Sequence, residues 1–198
     1  LARINRLRGT YSRALELARQ VLALIPSKDR AQRAEVYLEI AKIYWYRGEY
    51  RRALDAEQRS LALARQIGNT FLEIQAISLE GLIARNQGAL KRAERKLRQA
   101  LQMARTTGRR AEEAIQLNNL GIALREQGRL EEATRIFEQA LVIDRELDSQ
   151  EGIAFDMRNL AITLLRQGKM KESGDFLRQA LALSQKIQNK FNELESVY

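Results

Sequence analysis

The chain has 198 residues, 45% of them hydrophobic and 30% charged, with a net charge of +9; this is enough apolar material for one elongated domain. Cysteine and histidine are both absent, which excludes a disulfide framework, thiolate or imidazole metal sites and every mechanism that needs a histidine base. No run of about twenty apolar residues occurs, so no membrane-spanning helix is expected.

In chain order, residues 1–29 predict the tail of one helix, ending near Gly9, and a second helix over Tyr11–Ile25 that stops near Pro26, the only proline. Residues 30–69 predict helices over roughly Ala31–Arg47 and Tyr50–Ile67, with a turn at Gly68-Asn69. Residues 70–109 close at Gly108, residues 110–149 at Asp148-Ser149 and residues 150–189 at Gln188-Asn189. The last two closures lack glycine, so those turns should be less relaxed. Residues 190–198 match the start of a sixth unit. No strand, linker or low-complexity pattern appears, and one continuous domain over 1–198 is expected.

The units share a period. Glycines stand at Gly9, Gly48, Gly88, Gly128 and Gly168, at spacings of 39, 40, 40 and 40. Five places later come Ala14, Ala53, Ala93, Ala133 and Ser173, and thirteen places later Leu22, Leu61, Leu101, Leu141 and Leu181. A fixed period of this length is the signature of a helical solenoid, in which no unit buries its apolar stripe alone.

The fourth unit carries the pattern most fully. Leu117, Leu120, Gly121 and Leu124 fall on one stripe of its first helix, and Ala133, Phe137 and Ala140 on its second. Here the chain resembles the tetratricopeptide repeat (TPR) family, whose pattern is W-x2-L-G-x2-Y, then A-x3-F, then P. The second unit fits at Tyr37, Ile40, Ala41, Tyr44 and Ala53, with Glu57 and Ser60 in place of the usual Phe and Ala. The third fits at Gly81 and Ala93, with Glu80 in place of Leu. The fifth fits at Leu160, Ala161, Leu164, Leu177 and Ala180. The resemblance implies an all-α fold, a right-handed superhelical α-solenoid of helix-turn-helix repeats. Repeats of this length are similar to those of kinesin light chains, Pins-type polarity adaptors and the sensor arms of some bacterial ATPase-regulators. All of these hold peptides or partner proteins.

The resemblance also implies a concave groove lined by the first helices. In the fourth unit Ile115, Asn118, Ile122 and Arg125 lie about 80–160° from Leu117 on the helical wheel, off the packing stripe. Their counterparts are Glu35, Leu38, Lys42 and Trp45, then Gln75, Ser78, Leu82 and Arg85, then Phe155, Arg158, Ile162 and Leu165. Leu82, Ile122, Ile162 and Leu165 would form an apolar floor, with Arg85, Asn118, Arg125 and Arg158 around it. Amides suit a peptide bond and arginine suits carboxylates. The alternative for the apolar members is packing against the adjacent repeat. For the polar members it is a solvated surface. Asn119 and Asn159 match positions where related adaptors hold ligand backbone; the alternative is helix-to-helix bonding inside the solenoid.

Tyr44-Trp45-Tyr46 is the one aromatic cluster. Tyr44 is expected in the core, with Trp45 and Tyr46 towards the groove, where an exposed Trp can anchor an apolar or cationic group. Lys91, Arg92, Arg95, Lys96 and Arg98 form the densest basic run, on the outer side of a second helix. Without interleaved aromatics for base stacking, a solvated face is the better reading, and nucleic acid is not the expected partner. The lysine–asparagine clamp for chaperone C-termini is not reproduced. Glycine-rich phosphate loops and Glu-x-x-His motifs are missing too. No enzymatic activity and no cofactor or metal is expected.

Residues 1–109 carry 22 basic and 10 acidic side chains, whereas residues 110–198 carry 12 and 15, an asymmetry that would steer an acidic partner to the first half. Leu1 already lies inside a predicted helix and the sixth unit stops short, so a piece of a longer protein is expected. Self-association through uncapped ends is the alternative. The expectation is a cytoplasmic scaffold that binds a peptide or partner segment through Lys42, Trp45, Tyr46, Leu82, Arg85, Asn118, Asn119, Ile122, Arg125, Arg158, Asn159 and Ile162. The other readings are a sensor arm of a larger signalling or transcription-regulating protein and, more weakly, RNA binding through the basic half.

Overall fold

In the computed structural model the backbone is described for residues 2–195 and the side chains for residues 10–188. Among the described residues there are nine helices and no strand: α1 (Ala2–Leu24), α2 (Arg30–Tyr46), α3 (Tyr50–Gln66), α4 (Thr70–Asn86), α5 (Leu90–Thr106), α6 (Arg110–Glu126), α7 (Leu130–Glu146), α8 (Gln150–Arg166) and α9 (Met170–Glu195).

From α2 onward the forty-residue period becomes a regular alternation of helix and three-residue turn. Gly128 shows how a turn is made. Its φ is +79°, a left-handed conformation that costs a Cβ-bearing residue about 1 kcal/mol or more. The turn closes with Gly128 N–H donating to Arg125 O at 3.1 Å and Arg129 N–H to Leu124 O at 3.0 Å, which satisfies carbonyls orphaned at the helix end. Asp148 takes the same place between α7 and α8 with φ +51°; the expected strain at a glycine-free closure is real here. Asp29, Asn69 and Ser149 cap α2, α4 and α8 through side-chain oxygens that accept the N–H of Gln32, Leu72 and Gly152.

Two expected turns are absent. α1 runs unbroken through Gly9, and α9 runs through Gln188-Asn189 to Glu195. A mid-helix glycine costs only about 1 kcal/mol. Gln188-Asn189 lacks the glycine that makes a left-handed turn cheap. The expected sixth unit, residues 190–198, lies outside the residues whose side chains are described.

The chain divides into two compact units, residues 1–103 and 104–198. In the first, α2 packs on α1, α3 and α4, and α4 packs on α3. Its core includes Leu15, Leu38, Tyr44, Leu72, Leu79 and Ile83. The departures from the repeat pattern are resolved in this unit. Ser60 is fully buried and donates to Ala34 O at 2.8 Å. Glu57 is 1% exposed and interacts electrostatically with Glu80, whose carboxylate takes Arg92 at 2.8 Å and Lys96 at 2.7 Å. Two acids that look like unrelated exceptions in successive units share one buried cluster.

In the second unit α6 packs on α7 and α8, and α8 on α7 and α9. Leu117, Leu120, Leu124, Phe137 and Ala140 are all fully buried. Leu160, Ala161 and Leu164 are buried as expected. Leu177 and Leu181, which match the stripe in sequence, are 43% and 60% exposed. Their counterparts Phe137 and Leu141 are 0% and 6% exposed. Among the described helices α7 is flanked by both α6 and α8, whereas α9 packs on α8 alone.

Candidate functional site

In the second unit, α6 and α8 bring several sequence-predicted residues together. Asn118 is buried; its amide donates to Ala114 O at 3.3 Å, and its carbonyl accepts from Asn159 Nδ2 at a long 3.5 Å. Asn159 is itself 3% exposed. The Arg125 guanidinium donates to both Asn159 O and Asn159 Oδ1 at 3.3 Å and lies 5.5 Å over the Phe137 ring. The two asparagines are therefore engaged within the fold and hold Arg125 in one place. Asn119, Ile122 and Ile162 are half-buried beside them, while Ile115 and Leu165 are 50% and 52% exposed.

Arg158 lies apart from this network. Its guanidinium sits 4.9 Å over the Phe155 ring. Both line a cleft of about 540 Å³ between α8 and α9, with Leu177, Leu181 and Ser184 opposite. Phe155 and Arg158, expected off the packing stripe, are exposed, and so are Leu177, which fits the family pattern, and Leu181, which keeps the leucine register.

In the first unit Lys42 pairs with Glu39 at 2.7 Å. Tyr44 is buried, and its hydroxyl accepts from Arg19 at 2.7 Å. Tyr46 is 61% exposed and stacks on Tyr11 at 5.9 Å; the half-buried Trp45 ring tilts against Tyr46 at 4.7 Å. Trp45 Nε1 is a buried donor without an acceptor. Leu38 and Ser78 are buried, so of the groove positions in α2 and α4 these two serve packing. Leu82 and Arg85 are half-buried. The basic run in α5 is partly spent internally: Arg92 and Lys96 bind Glu80, and Arg98 binds Glu94 at 2.9 Å.

Sequence reading missed a pair of acids in the second unit. Asp144 of α7 and Asp156 of α8 are 6% and 0% exposed. Burial pushes both carboxyls above the ordinary range, Asp156 to about 8, and for Asp156 the neighbouring Asp144 adds to the effect. A signal existed: the equivalent positions of the other units hold Ala64, Ala104 and Ser184, and Val36, Ala76 and Gln116, and acids at otherwise uncharged register positions mark a buried polar cluster. Among the described residues no group of three or more His, Cys, Asp or Glu side chains could hold a metal, and no helix is long and apolar enough to cross a membrane.

The arrangement is that of known repeat proteins. A Rap protein complexed with competence and sporulation factor superposes with TM-score 0.82 at 15% identity, over 92% of this chain and 51% of that one. The Rap conjugation gene regulator of plasmid pLS20, in complex with the Phr* peptide, gives 0.80 at 20% identity, over 91% and 50%. A putative kinesin light chain from Podosopora anserina with nearly identical TPR-like repeats gives 0.70 at 21%, over 96% and 93%. The chain thus spans about half the length of the two Rap proteins. No curated protein matches the sequence significantly. The family model described as the MalT-like TPR region matches residues 1–196. With its repeat register, its paired helices and this match over nearly the whole length, the chain belongs to the MalT-like TPR family.

Proposed function

We propose that this chain is a protein-interaction scaffold that seats a peptide or partner segment against its first helices. The observation that carries the reading is the Arg125–Asn159–Asn118 network, in which buried amides fix a guanidinium beside the half-buried Ile122 and Ile162. A positioned guanidinium loses little entropy when it takes a carboxylate, and the adjoining isoleucines supply apolar area. Lys42, Trp45, Tyr46, Leu82 and Arg85 extend the reading to the first unit. Arg158, with Phe155, extends it to the α8–α9 cleft. The partner is a peptide or protein with acidic side chains, held at micromolar strength, roughly −8 kcal/mol. The Phr* peptide named in one Rap complex, and the competence and sporulation factor named in the other, support this reading by similarity of fold. The reading is non-enzymatic and cytoplasmic.

The double substitution Arg125→Glu with Arg158→Glu tests it. Capture of partners on an immobilised chain, identified by mass spectrometry, should be lost while helicity by circular dichroism is kept. Retained capture would remove the reading.

A second reading, that the chain is the sensor arm of a larger regulator, is favoured by the half-length overlap with the Rap conjugation gene regulator. It requires an adjoining effector domain, and the flanking coding sequence decides it. The exposed Leu177 and Leu181 favour self-association as an added property, which sedimentation at two concentrations would test.

A further inference from the structure

Asp144 and Asp156 occupy the interior of the second unit, and the fold makes room for them. Residue 152 is glycine, and a Cβ there would collide with Asp144 Oδ2. Neither Asp156 oxygen has a hydrogen-bond donor by strict geometry. Two bare carboxylates in this position would each carry a heavy desolvation cost. A proton held between them removes one charge and gives the orphaned oxygens a partner. The groups acting on Asp156 are Asp144 from α7 and the neutral Asn118 from α6, and Asp156 in turn acts on Asp144.

Asn118 is the connection to the surface. Its NH2 is placed between Ala114 O and the pull of Asp156, and its carbonyl accepts from Asn159. Asn159 Oδ1 in turn accepts from Arg125. An ionised Asp156 is a stronger acceptor than a protonated one, so it draws the Asn118 amide inward. That movement weakens the carbonyl contact to Asn159 and leaves Asn159 and Arg125 to rearrange.

We propose that the Asp144–Asp156 pair is a proton-operated regulator of the α6–α8 face, resetting Arg125 through Asn118 and Asn159. The proposal rests on the reading of that face as a binding surface only for its biological meaning. The relay itself can be tested without any ligand. Loss of the proton adds negative charge behind the face, so an acidic peptide is held less well at high pH than at neutral pH. By reciprocity, seating such a peptide favours proton uptake.

The test is a pH 5–10 titration of the ¹⁵N-labelled chain, following the side-chain NH2 signals of Asn118 and Asn159 and the Nε–H of Arg125. All three should move with one common midpoint above the ordinary carboxylate range. The step should vanish from all three in Asp156→Asn; if that variant does not fold, Asp144→Asn should instead leave the step in place with its midpoint lowered, since Asp144 adds to the rise at Asp156, and an unmoved midpoint there would overturn the pair. In Asn159→Ala the Asn118 signal should still titrate while Arg125 stops responding. A flat Arg125 signal in the unsubstituted chain, or an Arg125 step that survives Asn159→Ala, would overturn the relay. Failure of peptide capture with the titration intact would instead count against the binding reading alone.

Discussion

Gly121 on α6 lies so close to Phe137 on α7 that a Cβ at position 121 would stand 2.6 Å from the ring. The ring is fully buried, so any shift it makes must disturb its packed neighbours. Ala is favoured over Gly in a helix by about 1 kcal/mol, yet overpacking a tight core costs about 1–3 kcal/mol, so packing decides the sign. Gly121→Ala should lower stability by about 1–2 kcal/mol in urea unfolding. Adding Phe137→Leu should recover part of that loss by freeing the space, and a strictly additive double variant would contradict the contact.

The acid pair predicts an inverted pH profile. Asp156 is held well above the unfolded value, at about 8, so the folded state binds a proton that the unfolded state has released. Its contribution is full below the unfolded value of about 4 and is lost as pH rises towards the folded value. The second unit should therefore lose stability from pH 5 to pH 9, by something on the order of 1 kcal/mol per pH unit at most. Asp156→Asn should flatten the slope, with its advantage over the unsubstituted chain growing as pH rises. Thermal melts across that range are the measurement.

A second titration is expected in the first unit. Burial, and then Glu80, raise Glu57 to about 7, against the opposing pull of Lys96, Arg65 and Arg92. Glu80→Leu restores the family residue and removes the repulsion while leaving Lys96 and Arg92 in place. The Glu57 midpoint, read from its carboxyl ¹³C signal, should then fall towards the ordinary glutamate value. A midpoint that stays put would mean burial alone sets it.

Asp148 offers the simplest stabilisation. Six other turns use glycine at positive φ, while Asp148 holds φ +51° with a Cβ. Asp tolerates this conformation better than most residues, and its carboxylate accepts from Gln150 Nε2 at 2.6 Å. An exposed bond of that kind is worth less than the backbone strain. Asp148→Gly should raise stability by about 0.5–1 kcal/mol, whereas the reverse change, Gly128→Asp, should lower it. Chemical denaturation of the two variants checks both signs.

Much of the fold was legible in the residues alone. Gly48, Gly88, Gly128 and Gly168 mark where helices stop, because only glycine turns left-handed cheaply, although Gly9 in the same series does not, and the spacing of Leu117, Leu120, Leu124 and Phe137 marks which faces meet. What the period could not decide was everything that depends on a second helix arriving. Leu181 repeats Leu141 in sequence, yet one is exposed and the other buried, since burial belongs to the neighbour that covers a residue and not to the residue. Asn159, Asn118 and Arg125 could be placed near one face, but their bonding to one another depends on distances across α6 and α8. Glu57 with Glu80, and Asp144 with Asp156, look like isolated exceptions in the chain. Only the tertiary structure makes them pairs, because a charge's free energy is set by what surrounds it in space and a repeat pattern records only what surrounds it in sequence.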